Sequence, residues 1–136
     1  MSVHSERIQV RGRRGLTEFT RDVARAVAQS GVENGICNVF IQHTSASLTI
    51  QENADPTARA DLEEFLERLV PENQPWFRHT HEGPDDMPSH IKAILTDVSL
   101  TIPVVNGRLG LGTWQGIYLW EHRSHSSSRG VVVSVW

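Results

Sequence analysis

Short runs of apolar residues, some of them alternating with polar ones, recur along the chain and predict β-strands. The clearest run, ICNVFI at residues 36–41, is typical of a buried strand. Residues 117–122 alternate, so Ile117 and Leu119 are expected on one face and Tyr118 and Trp120 on the other. Asn106-Gly107 is a strong hairpin signal. The predicted strands are residues 3–10, 36–41, 48–50, 99–104, 108–111, 117–122 and 130–136.

Helices are predicted where apolar residues follow helical spacing. The first, residues 17–30, ends at Gly31, which suits a left-handed C-terminal stop. The second, residues 56–69, starts with Asp55 as N-cap and Pro56 in the first position. Its buried stripe is expected to be Leu62, Phe65, Leu66 and Leu69. A third, short helix is opened by Pro88 and capped by Asp86 or Met87, with Ile91, Ile94 and Leu95 on its apolar side.

The remaining segments are predicted to be connections. The basic segment 11–15 and the polar segment 123–129 are expected to be a solvated turn and a linker. Residues 110–116, GLGTWQG, have the flexibility of a phosphate-binding loop, but they lack its Gly-Lys-Ser/Thr ending and a following helix. A nucleotide-binding P-loop is therefore excluded.

Length and composition restrict the classes of function. With 136 residues the chain fits one domain, 1–136, that can bury a core without disulfides. Its net charge of -3, with basic residues scattered among acids, argues against nucleic-acid binding. No apolar stretch approaches the roughly 20 residues of a membrane helix. A single cysteine, Cys37, and the lack of a signal-like start predict a cytoplasmic protein.

Candidate chemistry is concentrated in two polar segments. His43 and a group of hydroxyl residues follow the first buried strand, and Asn53 and Asp55 precede the second helix. Residues 76–90, WFRHTHEGPDDMPSH, hold three histidines and three acids without any periodicity. Such a concentration of titratable groups in a connection favours a functional loop.

Three imidazoles with a carboxylate can hold Zn²⁺ or a similar divalent cation. The predicted ligands are His43, His79 and His90, with His81 as the substitute. A hydrogen-bonded structural role is the competing interpretation for any one of them. Candidate anion contacts are Arg59, Arg78, Lys92, Arg108, Arg123 and Arg129, although each arginine taken alone is more readily a solvated surface residue.

Five segments, HTSASLTIQENADP, VPEN, RHTHEGPDDMPSHIKA, SLTIP and LGTWQGIYLWEHR, resemble the YjbQ (UPF0047) family of secondary thiamine-phosphate synthases. The resemblance runs nearly end to end. It implies a compact α+β fold, with β sheet layered against two to three helices, in a homotrimer. It also implies a weak transferase activity that joins hydroxymethylpyrimidine diphosphate to thiazole phosphate.

Carried over by motif, the resemblance implies catalytic roles for His43, Asp61, His90 and Glu121. The implied substrate contacts are Thr44, Asn53, Trp114 and Gln115, to which Arg129 is added as an anion contact. A divalent metal, Zn²⁺ or Mg²⁺, is the expected cofactor, and a small phosphorylated metabolite is the expected ligand. The roles of His81, His122 and Cys37 stay open.

Two other functions fit the same residues. The first is a non-catalytic trimer that binds a metal or a phosphorylated metabolite. The second is a metal hydrolase that uses the same histidines.

Overall fold

The computed structural model of the protein describes residues 2–125 and 127–136. Within them, strands and helices follow one another along the chain as β1 (His4–Gly12), β2 (Gly15–Glu18), α1 (Thr20–Ser30), β3 (Gly35–Ile41), β4 (Ala46–Glu52), α2 (Pro56–Leu69), α3 (Asp86–Leu95), β5 (Ser99–Val105), β6 (Arg108–Leu109), β7 (Gln115–Glu121) and β8 (Ser127–Val135). The α+β class is confirmed.

The strands form two antiparallel sheets. The larger sheet has the order β1-β8-β3-β5-β6, and the smaller has the order β2-β7-β4. In the smaller sheet β4 pairs with β7 along its whole length, from Ala46 opposite Glu121 to Glu52 opposite Gln115. Residues that follow β3 and β7 therefore lie at one end of the sheets, and residues around Glu52 and Gln115 lie at the other.

The main core lies between the two sheets and is completed by α1. It contains Val39 and Val133 from the larger sheet, Leu48 and Leu119 from the smaller one, and Val23 from α1. The opposite face of the smaller sheet packs Tyr118 and Trp120 against the helical layer, including Leu66 of α2. β7 thus has apolar side chains buried on both faces, and the predicted alternation of residues 117–120 is confirmed.

The predicted apolar stripes of the later helices are wrong in part. Only Leu66 of the α2 stripe is fully buried, whereas Phe65 is 61% and Leu69 53% exposed. On α3, Ile94 is 81% exposed. The smaller sheet has only three strands, so it covers a narrower stripe of each helix than the apolar spacing alone indicates.

Several predicted boundaries also change. β2 occupies residues assigned to a turn and to the start of the first helix, because its four residues pair with β7. The predicted linker 123–129 includes Ser126, which lies outside the described residues, and β8 already begins at Ser127. Arg129 is therefore a strand residue opposite Val10. No helix in the described part of the chain is both long and apolar enough to cross a membrane.

Candidate metal and anion site

Two histidines and one aspartate meet at the start of α3. Asp86 opens the helix and His90 follows four residues later, so both project from one face. His79, in the preceding loop, donates from Nε2 to Asp86 Oδ2 at 2.6 Å, and His90 Nε2 lies 3.2 Å from the same oxygen. The ligand-type atoms of the three lie within 4.8 Å of one another. No other His, Cys, Asp and Glu side chains among residues 2–125 and 127–136 form such a group.

Arg123 binds two neighbouring aspartates, Asp85 and Asp86, on the side of Asp86 that faces away from the histidines. Its Nη1 donates to Asp86 Oδ1 at 2.7 Å and its Nε to Asp85 Oδ2 at 3.0 Å, while Ser124 N donates to Asp85 Oδ2 at 2.8 Å. Burial works to raise the pKa of Asp85, but these hydrogen bonds and the guanidinium charge outweigh it and lower the pKa to about 2. For Asp86 burial also opposes ionisation, yet the hydrogen bond from His79 and the charge of Arg123 leave its pKa below the ordinary value. Both carboxylates are ionised at neutral pH.

The hydrogen bonds of His90 fix the position of one of its protons. His90 Nδ1 lies 2.9 Å from the backbone oxygen of Thr44. A carbonyl oxygen only accepts, so Nδ1 is the donor. In a neutral ring Nε2 then presents a lone pair to the Asp86 carboxylate, which is also an acceptor. Two acceptors at 3.2 Å repel each other unless a proton or a cation lies between them.

A cleft of about 600 Å³ lies beside this cluster. One wall is polar and carries His43, Thr44 and His90, which come from the segment after β3 and from α3. The rest of the lining is mostly apolar and consists of Ala93, Ile94, Thr96 and Val98. The cleft combines an imidazole pair with room for the apolar part of a ligand.

A buried ion pair between Arg129 and Glu121 contacts His43. Arg129 donates from Nε and Nη2 to the two oxygens of Glu121, each at 2.7 Å, and both residues are at least 94% buried. Arg129 Nη1 lies 3.2 Å from His43 Nδ1. Burial, followed by the charge of Arg129, lowers the pKa of His43 below its ordinary value, with Glu121 acting in the opposite direction.

The structure brings together only part of the predicted site. His79 and His90 share a cluster, and Asp86 occupies the place expected for His43, which lies in the adjoining cleft. Asn53 and Gln115 lie at the far end of the smaller sheet, where Asn53 Nδ2 donates to Gln115 O at 3.4 Å. Seven paired residues separate the two ends, roughly 20 Å along the strand.

The other residues that the sequence singles out lie away from the cleft, some on the surface and some in the interior. Trp114 is 64% exposed beside Gln115, and Asp61 is an exposed residue of α2. Cys37 is buried in the main core, where burial raises the pKa of its thiol to about 11. Lys92, a predicted anion contact, is fully buried and bonded to Glu67 at 2.5 Å. These residues do not line the cleft.

The sequence alone indicates other roles for two residues at the cluster, Asp86 and Arg123. From the sequence, Asp86 is predicted only as a helix cap and Arg123 only as an anion contact. The signal for Asp86 is its spacing of four from His90, which places both on one helical face once the helix starts at Asp86 rather than at Pro88. For the pairing of Arg123 with the two aspartates, the sequence carries no comparable signal.

His122 forms a second, fully buried polar group. Its Nε2 lies 2.9 Å from Ser47 Oγ, which accepts from Thr96 Oγ1 at 2.6 Å. Burial lowers the pKa of His122 to about 3, with further lowering by the positive charges of Lys92, Arg14 and Arg129. His122 is therefore neutral in the folded protein.

Neutral burial of His122 predicts a specific loss of stability in acid. Between pH 6.5 and about 3 the unfolded chain protonates this histidine while the folded protein does not, so stability falls as pH falls through that window. From pH 6.5 to pH 5 the contribution is about 2 kcal/mol. We expect His122→Gln to flatten the dependence, as measured by urea denaturation at several pH values. His125→Gln, at an exposed position, is the control, and equal slopes for wild type and His122→Gln would contradict the prediction.

Fold and site together define an α+β protein with two antiparallel sheets and a His-Asp-His cluster beside a cleft. Residues 4–136 match the family described as UPF0047 protein YjbQ-like. The chain belongs to this YjbQ-like UPF0047 family.

Individual relatives agree in sequence and in fold. UPF0047 protein sll1880 of Synechocystis is 54% identical over 122 residues, covering 90% of this chain and 83% of the relative. UPF0047 protein YjbQ of Salmonella typhimurium is 52% identical over 104 residues, covering 76% and 75%. The crystal structure of the conserved hypothetical protein TT1486 from Thermus thermophilus superposes with a TM-score of 0.86 at 36% identity, covering 96% of this chain and 99% of that one.

Proposed function

We propose that the protein binds a divalent cation through His79, Asp86 and His90 and a phosphorylated metabolite in the adjoining cleft. We further propose a secondary transferase activity of the thiamine-phosphate synthase type at this site. The observation that carries the proposal is the orientation of His90. Its Nδ1 is tied to the Thr44 carbonyl, so its Nε2 faces the Asp86 carboxylate, to which His79 also points. Proteins orient metal-ligating histidines by this kind of backbone hydrogen bond.

The three proposed ligand atoms favour one type of divalent cation over another. Two imidazole nitrogens and one carboxylate oxygen, with further coordination positions open, are typical of Zn²⁺. Mg²⁺ instead prefers oxygen ligands and several waters. Arg123 keeps the second oxygen of Asp86 engaged, which fixes how the carboxylate is turned. We therefore propose Zn²⁺ or a similar transition-metal ion in preference to Mg²⁺.

The proposed reaction is a substitution at the methylene carbon attached to the pyrimidine ring. The thiazole nitrogen forms a bond to this carbon, and the carbon–oxygen bond breaks so that diphosphate leaves with the electron pair. A bound divalent cation supplies positive charge for the departing oxygens. His43 and Thr44 line the cleft and offer hydrogen bonds that orient the phosphate groups, and the apolar lining excludes water from the reacting carbon.

A non-catalytic binder is the second candidate function. It is favoured by the distance of roughly 20 Å between the imidazole cluster and the Asn53–Gln115 end of the same sheet. If substrate-positioning residues belong to that end, one chain alone does not assemble a complete transferase site. Such a protein would bind a metal and a phosphorylated metabolite without efficient turnover.

A metal-dependent synthesis assay separates these functions. The purified protein, stripped with chelator and reloaded with Zn²⁺, is expected to make thiamine phosphate from the two precursors. We expect His90→Ala to lose zinc and product, and His81→Ala, an exposed histidine of the same loop, to retain both. Zinc and phosphate binding without product would assign the protein to the binders. Failure of the wild type to bind zinc would reject the metal site itself.

We also propose that the chain forms a homotrimer in the cytoplasm. The cytoplasmic location is supported by the free, buried Cys37. The oligomer is supported by apolar residues at the cleft, where Ile94 is 81% and Val98 50% exposed. A neighbouring copy that covers them would also close the cleft.

An acidic substitution at the cleft edge tests this assembly. We expect Ile94→Asp to shift the protein from trimer toward monomer, because a charge would have to be buried against a neighbouring copy. Light scattering coupled to gel filtration measures the mass. Ala93→Ser, a small change on the same helix, serves as the control. A monomeric wild type, or an unchanged trimer in the variant, would exclude this interface.

A further inference from the structure

His43 occupies an unusual position between a buried cation and the cleft. A guanidinium has five N–H donors and no acceptor, so Arg129 Nη1 can only donate to His43 Nδ1. The ring nitrogen that receives this bond carries no proton. The two bonds from Arg129 to Glu121 keep the guanidinium in place, and their donors and acceptors lie in the core rather than in the cleft. The chain itself thus selects one form of the imidazole.

We propose that Arg129, held by Glu121, fixes His43 as the neutral tautomer with its proton on Nε2, and that this N–H donates to phosphate oxygens of a ligand in the cleft. The ligand is that of the proposed function, on which this second half of the inference rests. In this tautomer neither ring nitrogen has a free lone pair. His43 is therefore a hydrogen-bond donor, whereas the cation is held by His79, Asp86 and His90.

The surroundings of His43 also select an anion as the ligand. Arg7 and Arg129 both act on the ring as positive charges, and Arg7 is placed by its hydrogen bond to Gln42 at 2.8 Å. His43 shares the cleft with His90, whose Nε2 belongs to the cation cluster. A phosphate group placed there has a neutral N–H donor on one side and a bound cation on the other. A phosphomonoester or the end of a diphosphate fits this pattern.

The tautomer is measured directly by NMR on metal-free protein labelled with ¹⁵N-histidine at pH 7. Signals of His43 are assigned by their loss in His43→Gln. We expect a protonated Nε2 and an unprotonated Nδ1 in the wild type. A proton on Nδ1, alone or in an imidazolium, would overturn the proposal. Because no cation is present, this result is independent of the proposed metal site.

The donor role is tested with inorganic phosphate and zinc-loaded protein. Glutamine can place an amide N–H near the position of His43 Nε2, but alanine cannot. We expect His43→Gln to bind phosphate within a few-fold of the wild type and His43→Ala to bind about 10-fold or more weakly. Equal weakening by both substitutions would reject donation by His43. If the wild type binds zinc but no phosphate, the anion half fails while the metal site stands.

Discussion

Replacing Arg129 with methionine is expected to lower the free energy of unfolding by about 3–5 kcal/mol, because it leaves a buried carboxylate without its cation. Glu121 is 1% exposed and takes both of its side-chain bonds to guanidinium nitrogens from Arg129. Once the arginine is removed, the main remaining donor is Arg123 N, 3.0 Å from Glu121 Oε2. Urea denaturation should show a lower midpoint with an unchanged slope.

Two further variants show whether the loss comes from the unpaired charge. The double variant Glu121→Gln with Arg129→Met is expected to recover part of the stability, since a neutral amide costs less to bury than a carboxylate. Arg25→Met removes an exposed arginine whose partner Asp22 has a side chain that is 43% exposed, and it should change stability by less than about 0.5 kcal/mol. A loss below about 1 kcal/mol for Arg129→Met would show that the pair is not needed for folding.

Replacing Asp86 with asparagine is expected to weaken zinc binding by at least about 100-fold. Even groups that only orient a metal ligand change affinity by about 10–100-fold, and Asp86 is proposed as a ligand itself. Asparagine has the same shape and still offers Oδ1 to Arg123, so the local fold should persist. The change removes the negative charge shared by the two histidines.

Competition with a fluorescent zinc chelator measures this affinity, with thermal denaturation as a check on folding. Glu82→Gln is the matched control, because Glu82 lies in the same loop and contacts Arg123 through its backbone oxygen at 2.9 Å. It removes one acidic charge without touching the three proposed ligands. Equal zinc affinity in wild type and Asp86→Asn, or equal losses in both variants, would argue against coordination by Asp86.

The sequence predicts the parts of the fold whose signals are local. Asp55 and Pro56 mark the start of α2, and the Asn106-Gly107 turn marks the β5–β6 hairpin. β2 escapes prediction because it has four residues and is defined by pairing with β7, which is distant in sequence. The exposure of Phe65 has a related cause, since helical spacing does not reveal how wide the covering sheet is.

The candidate site, like the fold, is predictable only where its sequence signals are local. Titratable residues in the loop before α3 indicate His79 and His90, and the helix start then determines that Asp86 joins them. The contact of Arg129 with His43 joins β8 to the segment that follows β3, and the two residues are 86 positions apart in sequence. Such a tertiary contact has no signature in spacing or composition.

The double-sided burial of β7 has a consequence for the dynamics of the site. Glu121 is the last residue of β7, whose side chains pack into both hydrophobic layers, and His122 follows it directly. This wall of the site therefore opens only when both layers separate. Amide hydrogen exchange at residues 117–121 should therefore occur only when the whole protein unfolds. Any adjustment to a ligand then has to come from the loop that carries His79, whose amides should exchange much faster.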